Sequence, residues 1–154
     1  MENIRLTQAH HTESGLEDTI LDEASVPVTY QIDVDTGLIR TRCVGDPTFF
    51  EVLDHFRVLE GDPNCRDGLD LLLDLSELSS TPTPDQLRAV SAEIERIRPR
   101  VQFGACAVVA PRDVLFGLSR LFEAVAAERF RRMSVFRRVE EAEDWLRSPP
   151  SPDP

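Results

Sequence analysis

Leu69–Leu75 reads LDLLLDL and lies between Gly68 and Ser76. A run so short and so nearly continuous in apolar residues describes a strand covered on both faces, hence the centre of a sheet. The neighbouring segments supply the cover. Downstream, Thr83-Pro84-Asp85-Gln86 has the form of a capping box with proline in the first helical position, because the Thr hydroxyl can accept from a free N–H while Gln86 reaches back. Leu87, Val90, Ile94 and Ile97 then recur as one stripe until Pro99, with Arg88, Glu95 and Arg96 facing water. Upstream, Asp46-Pro47 reads as an N-cap and first-turn proline, followed by Phe49, Leu53, Phe56 and Leu59 at helical spacing and a stop at Gly61.

Further outward the alternation continues. Val26–Asp33 (VPVTYQID) and Leu38–Val44 (LIRTRCV) are β-branched, alternating segments joined by Asp35-Thr36-Gly37, which predicts a hairpin. Val101–Val109 (VQFGACAVV) predicts a further strand, Asp113 to about Phe130 a third helix, Ser134–Arg137 a short last strand, and Val139–Leu146 a last helix with Trp145 turned inward. The order β-β-α-β-α-β-α-β-α implies an α/β fold: an N-terminal β-hairpin, then βα alternation, building an open, mixed, mostly parallel sheet flanked by helices. One domain over residues 26–147 is expected. The acidic, aperiodic stretch 1–25 reads as a disordered leader, and the Pro-rich 148–154 as a disordered tail.

Composition narrows the function classes. The chain has 154 residues and a net charge of −11, all its basic residues being arginine. With no basic stripe, nonspecific nucleic-acid binding is not expected, since that affinity depends on neutralising phosphates. No apolar run is long enough to span a bilayer, and residues 1–25 carry no secretory or transit pattern, so a cytoplasmic location is expected. Cys43, Cys65 and Cys106 are odd in number, far apart and without a CxxC pair, which argues against disulfides or zinc. Cys43 and Cys106 fall in strands and are expected to be buried and inert. Cys65, in the polar loop DPNCRDG, is the thiol expected to be exposed and oxidisable.

The segments LLLDLSEL at Leu71–Leu78, AVVAP at Ala107–Pro111 and VFRRVEEAEDWL at Val135–Leu146 together resemble the SpoIIAA-like, STAS-like fold of anti-sigma factor antagonists, in its uncharacterised bacterial branch. The resemblance covers about Val26–Leu146 and implies a noncatalytic regulatory or protein-interaction module, with a protein partner. Signalling members carry Asp-Ser-Ser-Gly at the start of the second helix, where a kinase phosphorylates a serine. This chain departs from that pattern with Ser79-Ser80-Thr81-Pro82-Thr83-Pro84-Asp85, which places prolines beside the position of the phospho-acceptor. The fold group is also similar to lipid-carrying CRAL-TRIO-like proteins, which implies the alternative of a carrier or sensor of a small apolar ligand.

Candidate sites follow from both readings. Ser76, Ser79, Ser80, Thr81 and Thr83 form a hydroxyl-rich loop that is either a phospho-acceptor and partner-contact segment or a set of capping groups, because a phosphate and a hydroxyl cap both suit a helix N-terminus. Phe116, Leu118, Leu121 and Phe122 belong to a helix, VLFGLSRLFEAVAAERF, with more apolar residues than one buried face requires. They are candidates for a ligand pocket or a homodimer face, with Gly117 permitting close approach of another element. His55 stands beside Asp54 and one turn after Glu51, an arrangement open to acid–base chemistry but expected to be a solvated helix face. His10 and His11 lack further ligands for a metal. No GxGxxG, Walker or GxSxG segment occurs, so no cofactor, no metal and no catalytic set is expected.

Overall fold

The computed structural model describes residues 27–148; the expected leader and, apart from Ser148, the expected tail lie outside them. Strands β1 (Val28–Asp33) and β2 (Leu38–Gly45) form the hairpin; α1 (Phe49–Glu60), β3 (Asp70–Leu78), α2 (Pro84–Ile97), β4 (Ala105–Val109), α3 (Asp113–Ala126), a 3₁₀ turn (Ala127–Arg129), β5 (Arg132–Phe136) and α4 (Val139–Arg147) follow. The sheet runs β1-β2-β3-β4-β5, with β1 antiparallel to β2 and the remaining strands parallel. This is the hairpin-led, mixed α/β sheet read from the sequence.

The hairpin turn is local chemistry. Asp33 Oδ1 accepts from the Asp35 and Thr36 amides at 3.0 and 3.3 Å, and Gly37, at φ 74°, returns its N–H to the Asp33 carbonyl at 2.8 Å. A left-handed φ at that position suits glycine alone without strain.

Two apolar layers sandwich the sheet. Ile39, Leu71, Cys106 and Val108 face α1, α2 and α3, where Phe56, Leu59, Ile94, Ile97 and Phe122 complete the main core. Leu72, Ala107 and Val109 face α4, covered by Ala142 and Trp145. Arg132 caps that smaller layer: its guanidinium lies 4.1 Å from the Trp145 ring centroid and donates to the Trp145 and Ser148 carbonyls at 3.0 and 2.7 Å. Across α1 and α2, buried Glu93 accepts from Arg96 and meets Arg57, and the Arg96 hydrogen bond holds its carboxyl below the usual range.

Four sequence expectations shift. The N-cap of α1 is Thr48, not Asp46: Thr48 Oγ1 accepts from the Glu51 amide at 3.1 Å and Glu51 Oε1 accepts from the Thr48 amide at 2.7 Å, a full capping box that outcompetes the proline signal. Strand β4 begins at Ala105, not Val101: the Val101 amide still bonds the Ile97 carbonyl at the end of α2, and the Ala105 amide is taken by Asp70 Oδ1 at 2.8 Å. Helix α3 stops at Ala126 and tightens into the 3₁₀ turn, so β5 begins at Arg132, two residues earlier than expected. Cys65 is buried, not exposed. Asp62 folds its loop inward, accepting from Tyr30 Oη at 2.6 Å and from the Asn64 amide at 2.8 Å, and burial pushes the Cys65 thiol up to about 12.

Strand β3 also runs longer than expected, through Leu78. Arg42 faces Asp74 and Val44 faces Glu77, so β3 holds one residue more than β2 over this stretch. The bulge turns Leu78 back to the side of the sheet occupied by Leu75, where both pack with Leu115. It thereby shapes the end of the sheet where the following loop departs.

A cavity at the carboxyl ends of the strands

That end of the sheet holds a half-open cavity of about 280 Å³. Its floor is Thr41, Cys43, Leu73, Leu75 and Val108 from β2, β3 and β4; its walls are α1 (Val52, His55, Phe56), α2 (Leu87, Val90) and α3 (Leu115, Leu118, Ser119, Phe122). Ser80, Thr81 and Pro82 of the β3–α2 loop and Asp46-Pro47 of the β2–α1 loop border it. Open α/β sheets bind ligands at the carboxyl ends of their strands, and the volume lies near the lower end of the roughly 300–1,000 Å³ of small-molecule sites.

Each wall follows from a simple pattern. On α1, Val52, His55, Phe56 and Leu59 fall at i, i+3, i+4 and i+7, so the inward stripe passes through the histidine. His55 is therefore not on a solvated face: it is 7 % exposed, packed edge-on against Tyr30 and Phe56, with Nε2 3.1 Å from Thr41 Oγ1. Burial pushes the imidazole down to about 4, which keeps it neutral at pH 7. A general base works best with a pKa near the operating pH, and no carboxylate orients this ring among the described residues, so the Thr41–His55 pair suits hydrogen bonding better than proton transfer.

On α3, Ser119 lies four residues after Leu115 and three before Phe122, on the buried stripe. It is 5 % exposed, and its hydroxyl opens on the cavity with no hydrogen-bond partner among the described residues. Burial, with Asp74 adding to it, pushes the Cys43 thiol up to about 12, so it is an unreactive part of the floor. The Cys106 thiol is raised too, chiefly by burial.

The hydroxyl-rich loop divides. Ser80 and Thr81 border the cavity, whereas Ser76 and Ser79 are exposed. Thr83 caps α2: its Oγ1 accepts from the Gln86 amide at 3.1 Å and Gln86 Oε1 accepts from the Thr83 amide at 2.9 Å. Arg112 anchors the loop from the side, donating to the Leu78 and Ser80 carbonyls at 2.9 and 3.4 Å. Of the α3 candidates, Leu118 and Phe122 line the cavity. Phe116 packs on the core with the Arg137 guanidinium 4.2 Å from its ring centroid, and Leu121 is half-buried away from the cavity. Gly117 approaches nothing: a Cβ there would meet no atom within 4 Å. Thr41 and Ser119 were not singled out from the sequence, and Cys43 was read there only as a buried, inert strand thiol; for Ser119 the signal was its place between Leu115 and Phe122.

A more open hollow of about 440 Å³ lies at the opposite end of the sheet, where β3, β4 and β5 begin, beside Asp67, Arg98, Arg129 and Arg131. Its arginines already meet acids: Arg98 and Arg129 reach Glu95, and Arg131 reaches Asp70. Among the described residues no metal-ligating cluster occurs, and no helix is long and apolar enough to cross a membrane.

No family model and no curated protein matches the chain. Among solved structures it is similar to an uncharacterized protein of the DUF3478 family from Shewanella loihica PV-4, described as having a SpoIIAA-like fold. The identity is 15 % and the TM-score 0.52, over 77 % of this chain and 91 % of that one. With the strand order and the hairpin already in place, this likeness shows that the chain adopts a SpoIIAA-like fold.

Proposed function

We propose that the protein is a noncatalytic regulatory module that takes a small, mainly apolar molecule into the cavity at the carboxyl ends of its strands. In this reading the β3–α2 loop over the cavity, residues 79–83, is the surface offered to a protein partner. One observation carries it: side chains from four strands and three helices converge on a half-open space lined mostly by Leu, Val and Phe. The SpoIIAA-like fold supports a module in place of an enzyme, and the neutral, buried His55 supports a binding wall in place of a general base. The loop suits the second half of the task because its backbone is held at both ends, by the Thr83 capping box and by Arg112, while Ser80 and Thr81 touch the cavity. A molecule entering beneath them alters the surface they present. The loop's prolines and the engagement of Thr83 in capping favour contact over phosphorylation.

Native mass spectrometry of freshly purified protein, followed by solvent extraction, tests the reading. One small apolar molecule per chain is expected in the extract. Ligand-free protein whose melting temperature is also unmoved by a panel of medium-chain alcohols, ketones, acids and amines would sink it.

A further inference from the structure

We infer that the cavity selects an uncharged ligand with an apolar body and a hydroxyl or carbonyl tip, the tip hydrogen-bonding to Ser119. The inference rests on the cavity reading above and adds the class of head group. Ser119 is the first observation: a serine 5 % exposed, aimed into the cavity, whose hydroxyl has no partner among the described residues. A ligand that fills the cavity takes this hydroxyl out of water, which is costly unless the ligand itself supplies a hydrogen bond, as a hydroxyl or carbonyl tip does.

The charge around the cavity is the second observation. No arginine lines it, and Asp46 at its border is the lone formally charged lining residue. The same lining includes the Thr41–His55 pair, already hydrogen-bonded and with an imidazole that burial keeps uncharged at pH 7. Arginines of the surrounding elements are engaged elsewhere: Arg112 with the Leu78 and Ser80 carbonyls, Arg137 with Asp113, the Pro111 carbonyl and the Phe116 ring, Arg42 with Glu77 and Arg120 with Glu123.

Helix N-termini commonly hold anions in α/β proteins, and the first turns of α1, α2 and α3 all reach the cavity lining. Two of them are closed by side chains, α1 by Thr48 and Glu51 and α2 by Thr83 and Gln86, with Asp85 adding negative charge in the first turn of α2; α3 has no side-chain cap but carries Asp113 in its first turn. A carboxylate or phosphate head would find neither a cation nor free amides at those two ends. An ammonium head would have to leave water for an apolar space with one acid at its rim. Burying an unpaired charge costs far more than burying a hydroxyl that finds a partner.

Three probes with the same tail separate the heads: 1-octanol, octanoate and octylammonium, titrated calorimetrically into the full chain at pH 7. Octanol is expected to bind at least about tenfold more tightly than either ion, and Ser119→Ala to weaken octanol by roughly three- to tenfold, the loss of one hydrogen bond. Circular dichroism confirms that the variant is folded. Octanoate or octylammonium binding as tightly as octanol, or an unchanged octanol affinity in Ser119→Ala, overturns the inference and leaves the cavity reading standing. Binding of none of the three overturns the cavity reading with it. Should Ser119→Ala fail to fold, the comparison of heads on the natural chain still decides.

Discussion

Thr41 on β2 and His55 on α1 meet at 3.1 Å across the first wall of the cavity, both buried. The contact joins the hairpin to the first helix through two polar side chains inside an otherwise apolar layer. It also fixes a pH dependence. The folded imidazole is depressed to about 4 from 6.5, so between those values the unfolded chain binds a proton that the folded chain refuses.

That linkage makes stability fall as pH drops from about 6.5 toward 4, and leaves it unaffected by His55 above about pH 7. At ~1.4 kcal/mol per pKa unit the loss over the window is on the order of 3 kcal/mol. Urea unfolding at pH 7.0, 6.0 and 5.0 measures it. His55→Phe is expected to flatten the slope between pH 6.5 and 5, and an unchanged slope in that variant would show the group is not buried neutral.

Helix α2 was legible because its signals agree: Thr83, Pro84 and Gln86 mark the start, and the Leu87–Ile97 stripe marks the inner face. Helix α1 was harder. Asp46-Pro47 and Thr48-Glu51 both form start signals, and only the three-dimensional setting favours the second. A histidine beside Asp54 looks solvated until the Val52–Phe56–Leu59 stripe is seen to run through it. Cys65 was misread for a similar reason, since the polar loop is turned inward by the long-range Tyr30–Asp62 hydrogen bond, 32 residues apart in sequence. Of the cavity only part was legible, the α3 wall at Leu118 and Phe122. The rest depends on a bulge in β3 and on three helix faces meeting at one end of the sheet, none of which has a local signature.

The Thr83 capping box is expected to have a modest structural value. Thr83→Ala should destabilise the protein by about 1 kcal/mol, whereas Thr83→Asp, which restores an accepting oxygen at the cap, should stay within about 0.5 kcal/mol of the natural chain. Chemical denaturation checks both. Equal losses for Ala and Asp would mean the hydroxyl has a role other than capping.

Two glycines should respond in opposite directions to the same change. A Cβ on Gly104 would lie 2.5 Å from Asp70 Oδ1 and 2.9 Å from the Gly68 carbonyl, so the backbone must move, and Gly104→Ala should cost about 2–3 kcal/mol. A Cβ on Gly117 meets nothing within 4 Å and lies within α3, so Gly117→Ala should stabilise by roughly 0.5–1 kcal/mol through helix propensity. Melting temperatures moving in the same direction for both variants would contradict the packing around Gly104 and the open surface at Gly117.

Filling the cavity separates binding from folding. Leu118 lines the space from α3 and is half-buried, so the larger ring in Leu118→Phe has room to extend inward without displacing backbone. Large insertions into a close-packed core cost about 1–3 kcal/mol, while cavity-filling changes commonly stabilise by about 0.5–2 kcal/mol. The variant is therefore expected to melt at or above the temperature of the natural chain and to lose its response to 1-octanol. A lower melting temperature with the octanol response intact would mean that the side chain at position 118 points away from the space the ligand uses.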